Sequence, residues 1–333
     1  MESKATSRLT YFDFLRGIAI LLVIGIHTYT ISPFEGASNI LRIGIRETLN
    51  FAVPLFLAIS GFFIAKKDIS DKKSYFSFLK KQLPRVYVPT LIWSLPMLAL
   101  WLYQGKNLLM SFGKVLGCMT FGPYYFIALI IQLYLLHPII KKMAEKPVLG
   151  GAFLLIINTV FVYLLVYVFG KENLPATISV GPFVYWVIFY FIGVCLSDKK
   201  RDYSLMIPVI LIVIGFVAQM LETKYLMTLG EQGVGLKLTS WVYSAGMVMI
   251  LFSSKVERLL TKENSTYRLL VQLGNISFGI YLIHMYFVIA ETSIIHSDIW
   301  FVKYVIVATV VICFVAILRK VIPFRFWKVI GIN

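Results

Sequence analysis

The sequence predicts an all-α fold, a polytopic membrane helix bundle of about ten transmembrane helices with both termini cytoplasmic, and three observations carry that prediction. The first is composition. Hydrophobic residues make up 59% of the 333, charged residues 14%, and the mean hydropathy is +0.82, whereas about a quarter of the residues of a soluble domain are charged. The second is length: apolar runs of about 17 to 25 residues recur along the chain, each enough to cross about 30 Å of hydrocarbon. The third is the placement of Lys and Arg between those runs.

The first run, roughly residues 12–32, follows Lys4 and Arg8 as a signal peptide would. No small-residue cleavage site comes after it, so it is expected to remain as the first span. The others lie at roughly 45–65, 86–103, 124–140, 148–169, 181–197, 205–221, 236–253, 272–290 and 301–322. Alternate connections are strongly basic: seven residues between the second and third runs (Lys66, Lys67, Lys72, Lys73, Lys80, Lys81, Arg85), three at Lys141–Lys146, three at Lys199–Arg201 and four at Lys255–Arg268. With the two tails, 23 basic residues fall on one side, against eight on the other (Arg42, Arg46, Lys106, Lys114, Lys171, Lys224, Lys237, Lys303). By the positive-inside rule the richer side, with both termini, is cytoplasmic. The alternation also supports the span count, since one missed helix would scramble it. Every connection is short and no repeat or low-complexity tract intervenes, so residues 1–333 form a single transmembrane domain.

The net charge of +16 could suggest nucleic acid, but the basic residues sit in short runs between apolar segments with no nucleic-acid motif, and no such partner is expected. They are suited to orienting the chain and to meeting anionic lipid or ligand. Cys118, Cys195 and Cys313 lie far apart with no CxxC pair, so neither a metal site nor a disulfide framework is expected and the three are predicted to be buried small apolar residues.

The first span holds charges where a plain anchor would have leucine. In "DFLRGIAILLVIGIHTYT", Asp13 to Thr30, Arg16 and His27 are eleven residues apart, about three turns, so they share a face about 16 Å apart along the axis. Asp13, Arg16, Ile20, Val23 and His27 make one stripe, with Asp13 placed to pair with Arg16. A charge at a helix centre costs about 2.5 to 3.5 kcal/mol on insertion scales, so such residues normally face the bundle interior, a partner or water. Arg16 snorkelling to the headgroups and a satisfied buried His27 would explain either residue alone. Together they describe a polar passage, with an anion site at one depth and a titratable group deeper.

These residues resemble the acyltransferase-3 family of integral membrane acyltransferases, whose first span carries an Asp, two residues, Arg-Gly, an apolar run and then His. Here those are Asp13, Arg16, Gly17 and His27. The likeness continues through "VPLFLAISGFFI", "FLKKQLPRVYVPTLIW", "YYFIALIIQLYLLHPII" and "SFGIYLIHMYFV", over about residues 10–290. The family often has two arginines three apart where this chain has Lys80, Lys81 and Arg85 with Pro84 between, and a Trp where "PYYF" stands. The resemblance implies transfer of an acyl group, usually acetyl, from cytoplasmic acyl-CoA to a hydroxyl of a cell-surface or lipid-linked glycan, at the bacterial inner (cytoplasmic) membrane.

On that reading acetyl-CoA, or another acyl-CoA such as succinyl-CoA, is the donor. Its phosphates would meet Lys80, Lys81 and Arg85, and its pantetheine arm would pass Ser60 and Gly61. That basic segment is equally a positive-inside signal, and Ser60-Gly61 equally a site of close helix packing. Arg16, held by Asp13, would sit near phosphate or pantetheine, and His27 would act as general base. Ser277, Tyr281 and His284 share one stripe of the ninth span. Tyr281 or Ser277 could donate to the oxyanion, with His284 within reach of His27, although a hydrogen-bonded structural tyrosine and histidine fits the same pattern. His137 and His296 are expected to be structural or interfacial. A glycan or lipid-linked saccharide, acyl-CoA and membrane lipid are the expected partners, and no metal is expected. A transporter or flippase of a lipid-linked sugar or small anion is the alternative; a silent scaffold fits the Arg16–His27 stripe poorly.

Overall fold

In hydrocarbon each backbone N–H and C=O has to find its partner within its own segment, which makes helices the default for a chain of this composition. The computed structural model describes residues 2–31, 40–69, 71–171, 174–197, 201–231, 233–261, 264–295 and 299–332, and among them there is no strand. The helices are α1 (Glu2–Ile31), α2 (Ile40–Thr48), α3 (Ala52–Ile64), α4 (Lys72–Tyr103), α5 (Leu108–Leu116), α6 (Tyr125–Ala144), α7 (Pro147–Tyr163), α8 (Ala176–Ser179), α9 (Val187–Ser197), α10 (Met206–Thr228), α11 (Leu238–Phe252), α12 (Ser254–Leu260), α13 (Ser265–Asn275), α14 (Ser277–Ile294), α15 (Trp300–Val321) and α16 (Phe324–Ile330).

Eight stretches among the described residues are long and apolar enough to cross a membrane, among them Thr10–Tyr29, Ile40–Ile64 and Ser277–Ile294. The chain is a multi-pass membrane protein. The other two expected spans, 181–197 and 236–253, fall on α9 and α11, whose 11 and 15 residues reach only about 16 and 22 Å. Apolar content alone suggested full crossings there. The regular α-helix of the sixth starts only at Val187, after a 3₁₀ turn at Phe183–Tyr185.

The basic segment before the third span is also not a loop. Asp71 begins a 32-residue helix with a capping box, its carboxylate accepting from the Ser74 N–H at 2.7 Å, and that bond holds the Asp71 carboxyl below the usual carboxylate range. At about 48 Å, α4 exceeds the hydrocarbon thickness and carries Lys80 and Lys81 on its basic end. Pro84, Pro89 and Pro96 lie inside it. Each removes a backbone donor, while the Thr90 and Ser94 hydroxyls bond the carbonyls of Val86 and Thr90.

Helix α10 shows how the faces are assigned. Ile207, Ile210, Ile214, Val217 and Leu221 form an exposed stripe, while Gly215, Gln219, Glu222 and Thr223 are buried. Polar inside and apolar outside is the pattern of a helix whose outer solvent is lipid. Cys118 is buried as expected, but Cys195 is only half-buried and Cys313 is exposed; Cys313 sits among the exposed apolar residues of α15.

Two backbone approaches fix the helices that hold the polar stripe. A Cβ on Gly17 would lie 2.0 Å from the Leu270 carbonyl oxygen, and one on Gly274 1.7 Å from that of Asp13, so α1 and α13 meet through glycines. Likewise a Cβ on Gly61 would lie 2.2 Å from the Tyr190 oxygen and one on Gly193 2.0 Å from that of Ala58, which locks α3 to α9. With α14 packed beside α1, the Arg16–His27 stripe is held against the bundle interior.

Candidate active site

A cavity of about 840 Å³ is lined by residues of α1, α2, α3, α4, α6, α8, α11 and α14, a volume typical of a small-molecule or cofactor site. At one end Arg16 reaches it from α1, Ser60 and Phe63 from α3, and Gln82 and Arg85 from α4. Arg16 Nη1 donates to Asp13 Oδ1 at 2.6 Å, and its guanidinium lies 5.1 Å from the centroid of the Phe63 ring. Tyr134 of α6 interacts with Ser60, Arg16 and Arg85. Four helices therefore bring two guanidinium groups and two hydroxyls to one mouth.

Deeper along α1, His27 lines the same cavity together with Tyr281 of α14, while Ser277, three residues after the Gly274 that meets Asp13, lines it nearer the Arg16 end. The His284 ring lies behind, fully buried, with its centroid 5.2 Å from that of His27. His284 Nδ1 is 2.6 Å from the Tyr281 carbonyl oxygen, which can only accept; that nitrogen carries the proton and Nε2 of the neutral ring is left as an acceptor. Nε2 has no hydrogen-bond partner among the described residues. The Tyr281 hydroxyl donates to the Pro123 carbonyl, and that of Tyr124 to the Leu282 carbonyl at 2.6 Å, so the turn entering α6 is tied to α14.

The expected site residues separate into three groups. Arg16, His27, Ser60, Arg85, Ser277 and Tyr281 meet at the cavity. Asp13 and His284 stand behind Arg16 and His27. Gly61, Lys80 and Lys81 do not reach it: Gly61 faces the Tyr190 backbone, and Lys80 and Lys81 are exposed on α4. Tyr281 is corrected as an oxyanion donor, because its one hydroxyl proton is committed to Pro123. His137 is not interfacial; it is fully buried, with Nδ1 2.9 Å from the Tyr190 hydroxyl. His296 lies outside the described residues.

The opposite end of the cavity holds residues that the sequence analysis counted only as loop charges. Arg46, 6% exposed, lines it beside Asn50, Lys171, Gly235 and Trp241, and is close enough to His27 for its charge to act on the imidazole. Arg46 Nη1 donates to Asn50 Oδ1 at 2.7 Å. The adjacent Glu47 is engaged elsewhere, by Lys237 Nζ at 2.7 Å, Asn50 Nδ2 at 2.6 Å and the Thr223 hydroxyl at 3.0 Å. Two signals could have found this cluster: Arg42, Arg46 and Asn50 recur every four residues into an apolar span, and Gln219, Glu222 and Thr223 share one face of another.

The bundle thus holds a largely apolar cavity with a few charged and polar side chains, among them the first-span stripe. The acyltransferase-domain model of the acyltransferase-3 family matches residues 9–320, and the chain belongs to that family: it is a membrane acyltransferase. It is similar to the protein named "Putative membrane-bound acyltransferase YfiQ" of Bacillus subtilis (strain 168), 26% identical over 303 residues covering 83% of this chain and 80% of that one. No solved structure matches the chain.

Proposed function

We infer that this acyltransferase moves an acetyl group from acetyl-CoA to a hydroxyl of a glycan or lipid-linked saccharide, with His27 as general base, in the inner (cytoplasmic) membrane. The observation that carries the reading is the imidazole of His27 on a cavity whose one mouth presents Arg16 and Arg85. The positive-inside count turns that mouth to the cytoplasm, where acyl-CoA is found. Paired guanidinium donors suit the donor's phosphates, and the cavity beyond takes the pantetheine arm and its thioester.

The acceptor hydroxyl oxygen attacks the thioester carbonyl while His27 takes its proton. The tetrahedral intermediate then collapses, the C–S bond breaks, and the proton passes from the imidazolium to the leaving thiolate, leaving an acetyl ester and free CoA. His284 acts through His27: its Nε2, unpartnered among the described residues, would accept an N–H from the neighbouring ring once a turn of either imidazole closes the gap, and so orient it, leaving the other His27 nitrogen as base. Asp13 holds the Arg16 guanidinium. No observation favours the transporter or flippase alternative.

Binding and turnover measured on purified variants test this reading. His27→Ala should bind acetyl-CoA normally and lose at least about 100-fold in turnover, the low end of what general-base catalysis supplies. Arg16→Ala should weaken donor binding, with Arg16→Lys recovering part of it, because a point charge replaces a planar fork. A folded His27→Ala protein acetylating at near wild-type rate overturns the assignment of the base.

A further inference from the structure

A buried guanidinium needs a counter-charge, and among the described residues no carboxylate forms a salt bridge with Arg46. Removing such a group from water is costly unless an anion compensates. Glu47 is the one carboxylate among those acting on Arg46, and its charge is already balanced by Lys237, itself fully buried. Arg46 Nη1 is given to a neutral amide, and its Nε has no hydrogen-bond partner among the described residues.

The wall around it is shaped for an occupant. Gly235 has φ +87°, a conformation that residues with side chains rarely adopt, and a Cβ there would find Arg46 Nη2 as its nearest neighbour, at 3.7 Å. The guanidinium therefore lies beside bare backbone where it borders the cavity. Trp241 also lines the cavity with an indole N–H that has no partner among the described residues. Lys171 adds a second positive charge to this wall, its Nζ donating to the Val234 carbonyl at 2.9 Å, and no carboxylate is among the described residues that line the cavity.

We propose that the Arg46 end of the cavity is a subsite for an anionic group, carboxylate or phosphate, carried by the acceptor. The inference rests on the acyl-transfer reading, in which the other mouth belongs to the donor. An acid held by Arg46 places the rest of a saccharide beside His27, where a hydroxyl can be deprotonated. It also has an electrostatic consequence. The imidazolium formed at His27 is repelled by Arg46, and a bound anion cancels that repulsion, so the base works best when the acceptor is seated.

The test uses purified full-length protein and measures binding of three sugars, glucose, glucuronate and glucose 1-phosphate, with CoA binding in parallel. At least one charged sugar should bind about tenfold tighter than glucose, the margin of a single charge-assisted contact, and which one does distinguishes a carboxylate from a phosphate source. In Arg46→Gln the preference should vanish while CoA affinity stays unchanged. Arg46→Lys should keep a reduced preference, and it decides the matter if Arg46→Gln does not fold. Equal binding of all three sugars by the wild type, or a preference that survives unreduced in these variants, overturns the proposal. Failure of CoA to bind the wild type would instead overturn the donor reading, because the sugar measurements need no CoA.

Discussion

The two ends of the cavity solve the same problem in opposite ways. At the Arg16 end the charge is met locally: Asp13 sits one turn before Arg16 on the same helix, the pair keeps 21% and 34% of its side-chain surface, and water or ligand can reach it. At the Arg46 end the charges come from residues far apart in the chain and are dry. Glu47 and Lys237, 190 residues apart, are each fully buried, and Thr223 completes the coordination of the Glu47 carboxylate. A half-buried pair that water still reaches contributes less to stability than a dry one and is suited to exchanging its partner for a ligand. A buried pair that is fully hydrogen-bonded fixes helices α2, α10 and α11 relative to one another, and leaves Arg46 as the one guanidinium of that end turned to the cavity. The difference separates a mouth that binds from a frame that holds.

The largest effect concerns which end faces which compartment. If the Arg16 end is cytoplasmic, reporters fused after Asn333 should be active only as cytoplasmic fusions, an all-or-none outcome. Activity confined to the other side would exchange the assignments of donor and acceptor mouths. The next effect separates frame from mouth. Glu47→Gln leaves Lys237 buried without its counter-charge, and breaking such a pair costs about 3 to 5 kcal/mol. The purified protein should lose its folded form at clearly lower temperature, while Glu47→Leu combined with Lys237→Met recovers much of the loss. Asp13→Asn, at the half-buried pair, should change thermal stability much less. Equal losses at both ends would erase the distinction.

The same contrast explains what the sequence could disclose. The Arg16 end was legible because its parts are close in the chain or periodic along one helix: Asp13, Arg16 and His27 on α1, and Ser277 and Tyr281 on α14. Helical periodicity shows which residues share a face. It does not show what a face meets, so the spacing alone could not exclude Lys80 and Lys81 from the cavity or reveal that the Tyr281 proton belongs to Pro123. Arg46 and Lys237 read as topological charges, because the Glu47 partner of Lys237 lies on another helix and only the tertiary fold turns Arg46 to a cavity. The glycines followed the same rule. Gly17 and Gly61 were visible in motifs, but their use for backbone approach to α13 and α9 depends on elements elsewhere in the chain. Helix lengths failed where hydropathy was the only guide, at α9 and α11, and at α4, where the Asp71 cap starts the helix well before the apolar run.

The smallest expected effect sharpens the binding mouth itself. Arg85, Lys80 and Lys81 are all exposed on the same helix, but of the three only Arg85 lines the cavity. A guanidinium that reaches the donor's phosphates makes a directional, partly desolvated contact; an ammonium in open solvent contributes through a field that salt screens beyond about 10 Å at 0.1 M. Arg85→Gln should therefore weaken CoA binding about tenfold, the free-energy scale of one charge-assisted hydrogen bond, and part of that loss should persist at high ionic strength. Lys80→Gln and Lys81→Gln should each weaken it about twofold or less, with the difference from wild type disappearing as salt is raised. Isothermal titration of CoA across a salt series measures all three. Equal, fully salt-sensitive losses would mean that Arg85 acts only as one more charge of a basic helix end; a loss confined to Lys80 and Lys81 would move the phosphate site out of the cavity and onto the exposed face of α4.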